Sequence, residues 1–295
     1  MLPSLLLTLR EGLEAALIVG IIFGILRRLE RQDLRRVAWT AIAAASGLSL
    51  ALAGALHMAG AEFEGRGEML FEGTTMLLAV GVLTWMIFWM RRQARFIESR
   101  LETEMRGAIR QGHHWALFSI VFLAVFREGV ETALFLTAAN IAGGDGLATI
   151  IGGVIGLAGA ILIGWGIYVG AARLNIRRFF DVTSVLLLIF AAGLFAHSLH
   201  EFEELGWLPA IAEEVWNLKP ILSDTSTVGS MLRVLAGYND APSLLEVIGY
   251  LAYWSVALIA ANRWARARSD SPYRASEDGS RSRDRMTRKA EVLDR

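Results

Sequence analysis

Arg10-Glu11-Gly12-Leu13-Glu14 and Arg127-Glu128-Gly129-Val130-Glu131 are two copies of one charged pentapeptide, each set inside a long apolar run. On a helix the two glutamates of a copy, three positions apart, share a face, and the arginine can pair with the glutamate four positions on. Carboxylate oxygens are hard donors that suit hard cations. Guanidinium groups orient carboxylates through charge-assisted hydrogen bonds. Four glutamates and two arginines sum to a formal charge of −2 when all are ionised, a burden inside a bilayer that a di- or trivalent cation would offset. A purely structural salt bridge needs only one glutamate per arginine, and buried ion pairs stabilise poorly because desolvation offsets the Coulomb gain. The pattern therefore predicts a metal-cation site with Glu11, Glu14, Glu128 and Glu131 as ligands and Arg10 and Arg127 orienting them.

The elements that carry these residues follow from hydropathy. The chain has 295 residues, 54% of them hydrophobic, gathered into blocks long enough to cross a bilayer. A helical span needs about 20 mainly apolar residues. Seven stretches qualify: 3–26, 38–60, 70–90, 115–139, 147–171, 180–200 and 244–262. The expected class is an all-α polytopic membrane protein with seven transmembrane helices. Short alternating strands of the kind a membrane barrel requires are not visible. The chain has no cysteine, which excludes disulfides, thiolate zinc sites and iron–sulfur clusters. Zero formal net charge offers nothing for nucleic acid. The N-terminus lacks a basic region before its apolar run, so a cleavable signal peptide is not expected.

Arginines assign the orientation. The 27–37, 91–114 and 172–179 connections and the tail are arginine-rich, whereas 61–69, 140–146 and 201–243 are poor in positive charge. By the positive-inside rule the N-terminus lies outside and the C-terminus in the cytoplasm of the cell (inner) membrane. The first and fourth spans then cross in opposite senses. Each opens a three-helix unit with the charged signature, residues 1–90 and 115–200, as an inverted repeat of helices 1–3 and 4–6 would, with a site between the repeats near the midplane. The span at 244–262 stands outside the repeat. The permease domain is expected to cover 1–264, with 201–243 an outer loop and 265–295 a disordered cytoplasmic tail. By helical rise, Glu11 and Glu14 lie about 12–16 Å below the outer boundary, and Glu128 and Glu131 about 20–24 Å above the inner one, so the pairs can meet if the helices cross.

Other residues could handle a cation nearer the outer surface. His197, His200, Glu201 and Glu204 form one stripe at the end of the sixth span, and imidazole with carboxylate suits iron-like metals. Glu72, with Glu62, Glu64 and Glu68, adds an acidic rim that would raise the local cation concentration. Glu246 at the start of the seventh span is similar in kind. Leu208–Val215 and Val228–Leu235 could form short interfacial helices. Gly20 with Gly24, Gly152 with Gly156, and Gly166 with Gly170 have the four-residue spacing that lets membrane helices approach closely. Trp85, Trp89, Trp115, Trp207 and Trp254 read as membrane-interface anchors.

At these residues the chain resembles the oxidase-dependent iron permeases, the family of the fungal high-affinity iron permeases and the bacterial EfeU-type iron transporters. Its hallmark, Arg-Glu-x-x-Glu in the first and fourth transmembrane helices, is matched at Arg10–Glu14 and Arg127–Glu131. LTWMIFWM at Leu83–Met90, HSLHEFEELGWLP at His197–Pro209 and GYNDAPSLLE at Gly237–Glu246 are also similar, so the likeness spans roughly residues 1–262. The resemblance implies import of iron, taken as Fe³⁺, with the four motif glutamates as ligands and iron as transported substrate rather than permanent cofactor. It also implies a separate iron oxidase or periplasmic iron-handling proteins as partners; oligomeric state is left open. The residues alone equally allow a permease for other di- or trivalent metals, such as Fe²⁺ or lead. A membrane-bound metalloenzyme is the remaining alternative, but neither His-Glu-x-x-His nor Glu-x-x-His occurs.

Overall fold

The computed structural model of the chain describes residues 1–93, 103–105, 107, 114–143, 145–169, 175–209, 211–212, 214–224 and 226–269. Eight helices of ten residues or more occur among them: α1 Leu2–Arg28, α2 Arg35–Glu62, α3 Arg66–Gln93, α4 His114–Gly143, α5 Gly146–Tyr168, α6 Ile176–Glu204, α7 Thr227–Ala236 and α8 Leu244–Ser269. Their starts are written in the sequence. Pro3 stands in the first turn of α1, where a missing N–H costs nothing. Side-chain oxygens of Asp145, Asn175, Ser226 and Ser243 accept backbone N–H groups at the starts of α5, α6, α7 and α8, satisfying donors that a helix leaves unpaired. Gly237 ends α7 in the left-handed region at φ 69°, a conformation that glycine adopts without a Cβ penalty.

Five stretches are long and apolar enough to cross a membrane: Gln32–Gly60, Arg66–Trp89, Gly146–Ile167, Arg178–Glu204 and Leu244–Arg263. α1 and α4 have the length, at 27 and 30 residues. Every membrane-length window of either contains charged residues of the signature, which sets these two apart from the five. The outer faces of the spans are apolar: Ile150, Val154, Leu157, Ile161 and Trp165 of α5 are all at least half exposed, as a lipid-facing surface requires. The chain is a multi-pass membrane protein.

α2 barely touches α1 or α3, its neighbours in sequence. α1 lies along α5, α2 along α4, α3 along α6, and α1 crosses α4. Exchanging the first three helices for the next three leaves this set of pairings unchanged. Small residues make the approach possible. On α5, Gly152, Gly156, Ala160 and Gly164 face Ser4, Thr8, Gly12 and Ala16 of α1: a Cβ at Gly12 would meet Ala160 at 2.7 Å, and one at Gly164 would meet Ala16 at 2.8 Å. In the second copy of the signature, a Cβ at Gly129 would collide with Ser49 of α2. The glycine inside each pentapeptide thus lies against a helix of the other half. Gly20 and Gly24 have nothing within 4 Å, so their spacing does not mark a tight contact here.

At the arginine-rich end of α1, Ile22, Ile25 and Leu26 form an apolar cluster with Leu34, Ala38 and Ala41 of the α1–α2 turn and α2, Leu117 and Val121 of α4, and Met105. It begins about 12 Å along α1 from Glu14. The 201–243 connection holds α7 where a short helix is expected, but Leu208–Val215 is not helical among its described residues. Val215 N–H donates to Pro242 C=O at 3.0 Å, Leu218 N–H to Asp240 C=O at 2.7 Å, and Leu244 N–H to Ala212 C=O at 3.1 Å. Bonds to 240–244 thereby engage Ala212 C=O and Val215 N–H, groups that a helix would otherwise have paired. Residues 251–269 belong to a second unit and continue α8 past the expected span end at 262; residues 270–295, most of the expected tail, lie outside the described residues.

Gly129→Ala should lower the thermal unfolding midpoint of the detergent-solubilised protein by several degrees, an overpacking cost of about 1–3 kcal/mol. In a Ser49→Gly background the same change should be nearly neutral. Equal losses in both backgrounds would show that the contact is not responsible.

Candidate metal centre

α1 and α4 cross at their signatures. Glu11 of α1 and Glu128 and Glu131 of α4 each offer one carboxylate oxygen, and these three atoms lie within 4.8 Å of one another. All three side chains are buried. The pentapeptides, remote in sequence, therefore share one locus. Glu14 sits differently, with Oε1 3.4 Å from Arg10 Nε and outside the trio.

The two arginines are not equivalent. Arg10 is 1% exposed and lies against both carboxylates of its own copy, 3.8 Å from Glu11 and 3.4 Å from Glu14. The Arg127 side chain is 34% exposed and donates from Nε to Glu131 Oε1 at 2.8 Å. Its guanidinium stands 4.6 Å over the Trp89 ring and 5.7 Å from that of Trp85, and these two indoles stack on α3 with centroids 5.6 Å apart. A guanidinium over an indole face is attracted by the ring quadrupole. Trp85 and Trp89 thus do more than the interface anchoring expected of them: they fix the arginine of the second copy. No sequence spacing within α4 points to α3 as its partner.

The donor set fits a cation. Both oxygens of Glu11 and one each of Glu128 and Glu131 are buried without a hydrogen-bond partner among the described residues. Buried carboxylate oxygens without donors are costly, and oxygens facing one another at this separation repel. A hard cation among them removes both penalties, and the hard oxygen set suits Mg²⁺-like or iron-like ions.

The side chains of the outer stripe reach different helices. His197 Nε2 lies 3.1 Å from Arg233 Nη2 on α7, and Arg233 also reaches Asp224 at 3.3 Å. Glu201 lies over Gly73 of α3, where it interacts electrostatically with Glu72. His200 turns to α8, with Nδ1 2.9 Å from Glu246 Oε1 and Nε2 3.2 Å from Glu204 Oε1. Glu203, absent from the expected stripe, joins His200 and Glu246 in a second group of donor atoms within 4.8 Å of one another. The Ser243-x-x-Glu246 spacing, which marks a helix start, is the signal in this region that sequence reading leaves unused.

Residues 1–267 match the iron permease FTR1 family. The chain is 38% identical over 262 residues to the ferrous iron permease EfeU of Escherichia coli O157:H7 and to that of Shigella sonnei, covering 88% of this chain and 95% of each relative. It is 38% identical over 261 residues to the ferrous iron permease EfeU of Yersinia pestis, covering 88% and 92%. No solved structure matches the chain.

Arg10→Lys should lower the thermal midpoint in detergent more than Arg127→Lys does, because a point charge cannot span two buried carboxylates as a guanidinium can. Equal effects would show that the difference in burial and partners between the two arginines carries no energetic weight.

Proposed function

We infer the cargo and the route from one premise: the chain belongs to the iron permease FTR1 family. The observation that carries the inference is the meeting of Glu11, Glu128 and Glu131 within 4.8 Å. We propose that this locus is the transport site, with Glu14 as fourth carboxylate and Arg10 and Arg127 as orienting groups. Iron binds there between two inverted three-helix repeats, which rock to expose it to one side and then the other. The pairing of α1 with α5 and α2 with α4 supports that symmetry. Seven helices span the bilayer, with the N-terminus outside and the C-terminus in the cytoplasm, as the arginine distribution requires.

Charge selects the valence. With all four carboxylates ionised and both arginines charged, the locus carries −2, which a divalent ion neutralises and a trivalent ion overshoots to +1. A net charge left in low dielectric is the more costly state. This favours Fe²⁺ as the ion that moves, rather than the Fe³⁺ that sequence resemblance suggests, and the relatives named above are ferrous permeases. A negative-inside potential contributes about 2.3 kcal/mol per charge per 100 mV, so about 5 kcal/mol for a divalent ion, in the direction of import. Glu72 and Glu201 concentrate cations at the outer mouth. A separate periplasmic iron-handling protein delivers the ion to that side; an iron oxidase, whose product is Fe³⁺, fits a ferrous cargo less well.

Proteoliposome uptake of radioactive iron, with each valence supplied separately and with or without a pH gradient, tests this reading. Wild-type protein should accumulate Fe²⁺ in preference to Fe³⁺. Glu14→Gln and Glu131→Gln should each cut uptake at least a hundredfold while the protein stays monodisperse. Wild-type rates in both variants would remove the locus from the transport path, and a preference for Fe³⁺ would overturn the charge argument.

A further inference from the structure

We propose that His200, Glu203 and Glu246 form a second metal site, for a borderline divalent first-row cation, at the junction of α6 and α8. Three atoms converge there: His200 Nδ1, Glu203 Oε1 and Glu246 Oε1, mutually within 4.8 Å. Glu203 Oε1 is buried without a hydrogen-bond partner among the described residues, and the buried His200 Nδ1 and Glu246 Oε1 have only each other, at 2.9 Å. Glu246 as a whole is only 4% exposed, so water does not serve its oxygen.

What surrounds these atoms is the stronger argument, because each ligand is held by its other end. His200 Nε2 lies 3.2 Å from Glu204 Oε1, the carboxylate partner that a metal-bound imidazole ordinarily keeps on its far nitrogen. Glu203 Oε2 accepts from Ser243 Oγ at 2.5 Å. Glu246 Oε2 accepts from Asn239 Nδ2 at 2.9 Å. Three outer partners thus fix three donors and aim the remaining atoms at one point. The 2.9 Å separation of His200 Nδ1 from Glu246 Oε1 is what two ligands about 2.1 Å from a metal and roughly at right angles adopt. One imidazole with two carboxylates suits Fe²⁺, Mn²⁺, Co²⁺ or Zn²⁺ better than a purely hard ion. The competing arrangement is a protonated His200 bridging Glu204 and Glu246, which leaves Glu203 Oε1 buried without a partner. His197 belongs to neither, since Arg233 occupies its Nε2.

This site differs in kind from the α1–α4 locus, whose ligands are all oxygen, and its metal binding stands independently of transport. Its role as the position from which a cation is handed inward rests on the proposed permease reading.

The nitrogen provides the test. Mn²⁺ is added to the full-length protein in detergent and imidazole nitrogen coupling is measured by pulsed electron paramagnetic resonance. Wild-type protein should show the coupling, Glu14→Gln/Glu131→Gln should keep it, and His200→Gln should abolish it. Glu203→Gln and Glu246→Gln, which retain the imidazole, should weaken this binding at least tenfold by titration while remaining monodisperse. No coupling in the wild type, coupling that survives His200→Gln, or unchanged affinity in both glutamine variants would each overturn the proposal. Iron uptake that persists in Glu14→Gln/Glu131→Gln counts against the transport site alone and leaves the nitrogen result standing.

Discussion

Charge buried in low dielectric must be answered locally, and that constraint organises this protein. Arg10, Glu11, Glu14, Glu128 and Glu131 are all buried within helices α1 and α4. Isolated, any one of them would cost several kcal/mol. Two arginines cannot answer four carboxylates, and the packing brings oxygens of Glu11, Glu128 and Glu131 within 4.8 Å of one another, where the proposed cation would serve the excess. The glycine at the centre of each signature lies against Ala160 or Ser49 of the opposite half, and this close approach lets the carboxylates meet. Bulk at either position would separate the helices and leave the carboxylates buried and unanswered.

The two halves solve the problem unequally. In α1 the arginine is enclosed and divided between two carboxylates. In α4 it is partly open, bonded to one carboxylate and held over two indoles of α3. A cation–π contact of this type is worth about 0.5–2 kcal/mol, enough to bias a side chain and small enough to yield. The alternating access proposed above would need a difference between the two faces of the site. The Trp85–Trp89 platform supplies one on the α4 side, and the apolar cluster around Ile22, Leu26 and Val121 supplies another between the signature and the arginine-rich end of α1.

Much of this was legible from residue order. Charged pentapeptides inside apolar runs stand out because bilayer-length helices exclude charge, and the helices around them follow from hydropathy and caps. The Gly152/Gly156 spacing signals close packing, yet the stripe it packs against (Ser4, Thr8, Gly12, Ala16) is visible only once α5 is placed beside α1. Long-range choices were less legible. The His197–Glu204 stripe is correct as helix geometry, but tertiary contacts divide it, sending His197 to Arg233, Glu201 toward α3 and His200 to Glu246. Leu208–Val215 has apolar residues enough for a helix, and pairing with 240–244 takes its backbone instead. In each case local pattern yields to a partner more than twenty residues away.

The central claim is that two remote signatures build one shared site, and bound-metal stoichiometry addresses it directly. Fe²⁺ binding is measured anaerobically on purified His200→Gln protein, in which the second site is removed. The account predicts one ion per chain, lost entirely when either Glu11 or Glu128 is changed to Gln. Two ions per chain, or loss of only half the binding with either change, would mean that each signature holds metal alone and would contradict it.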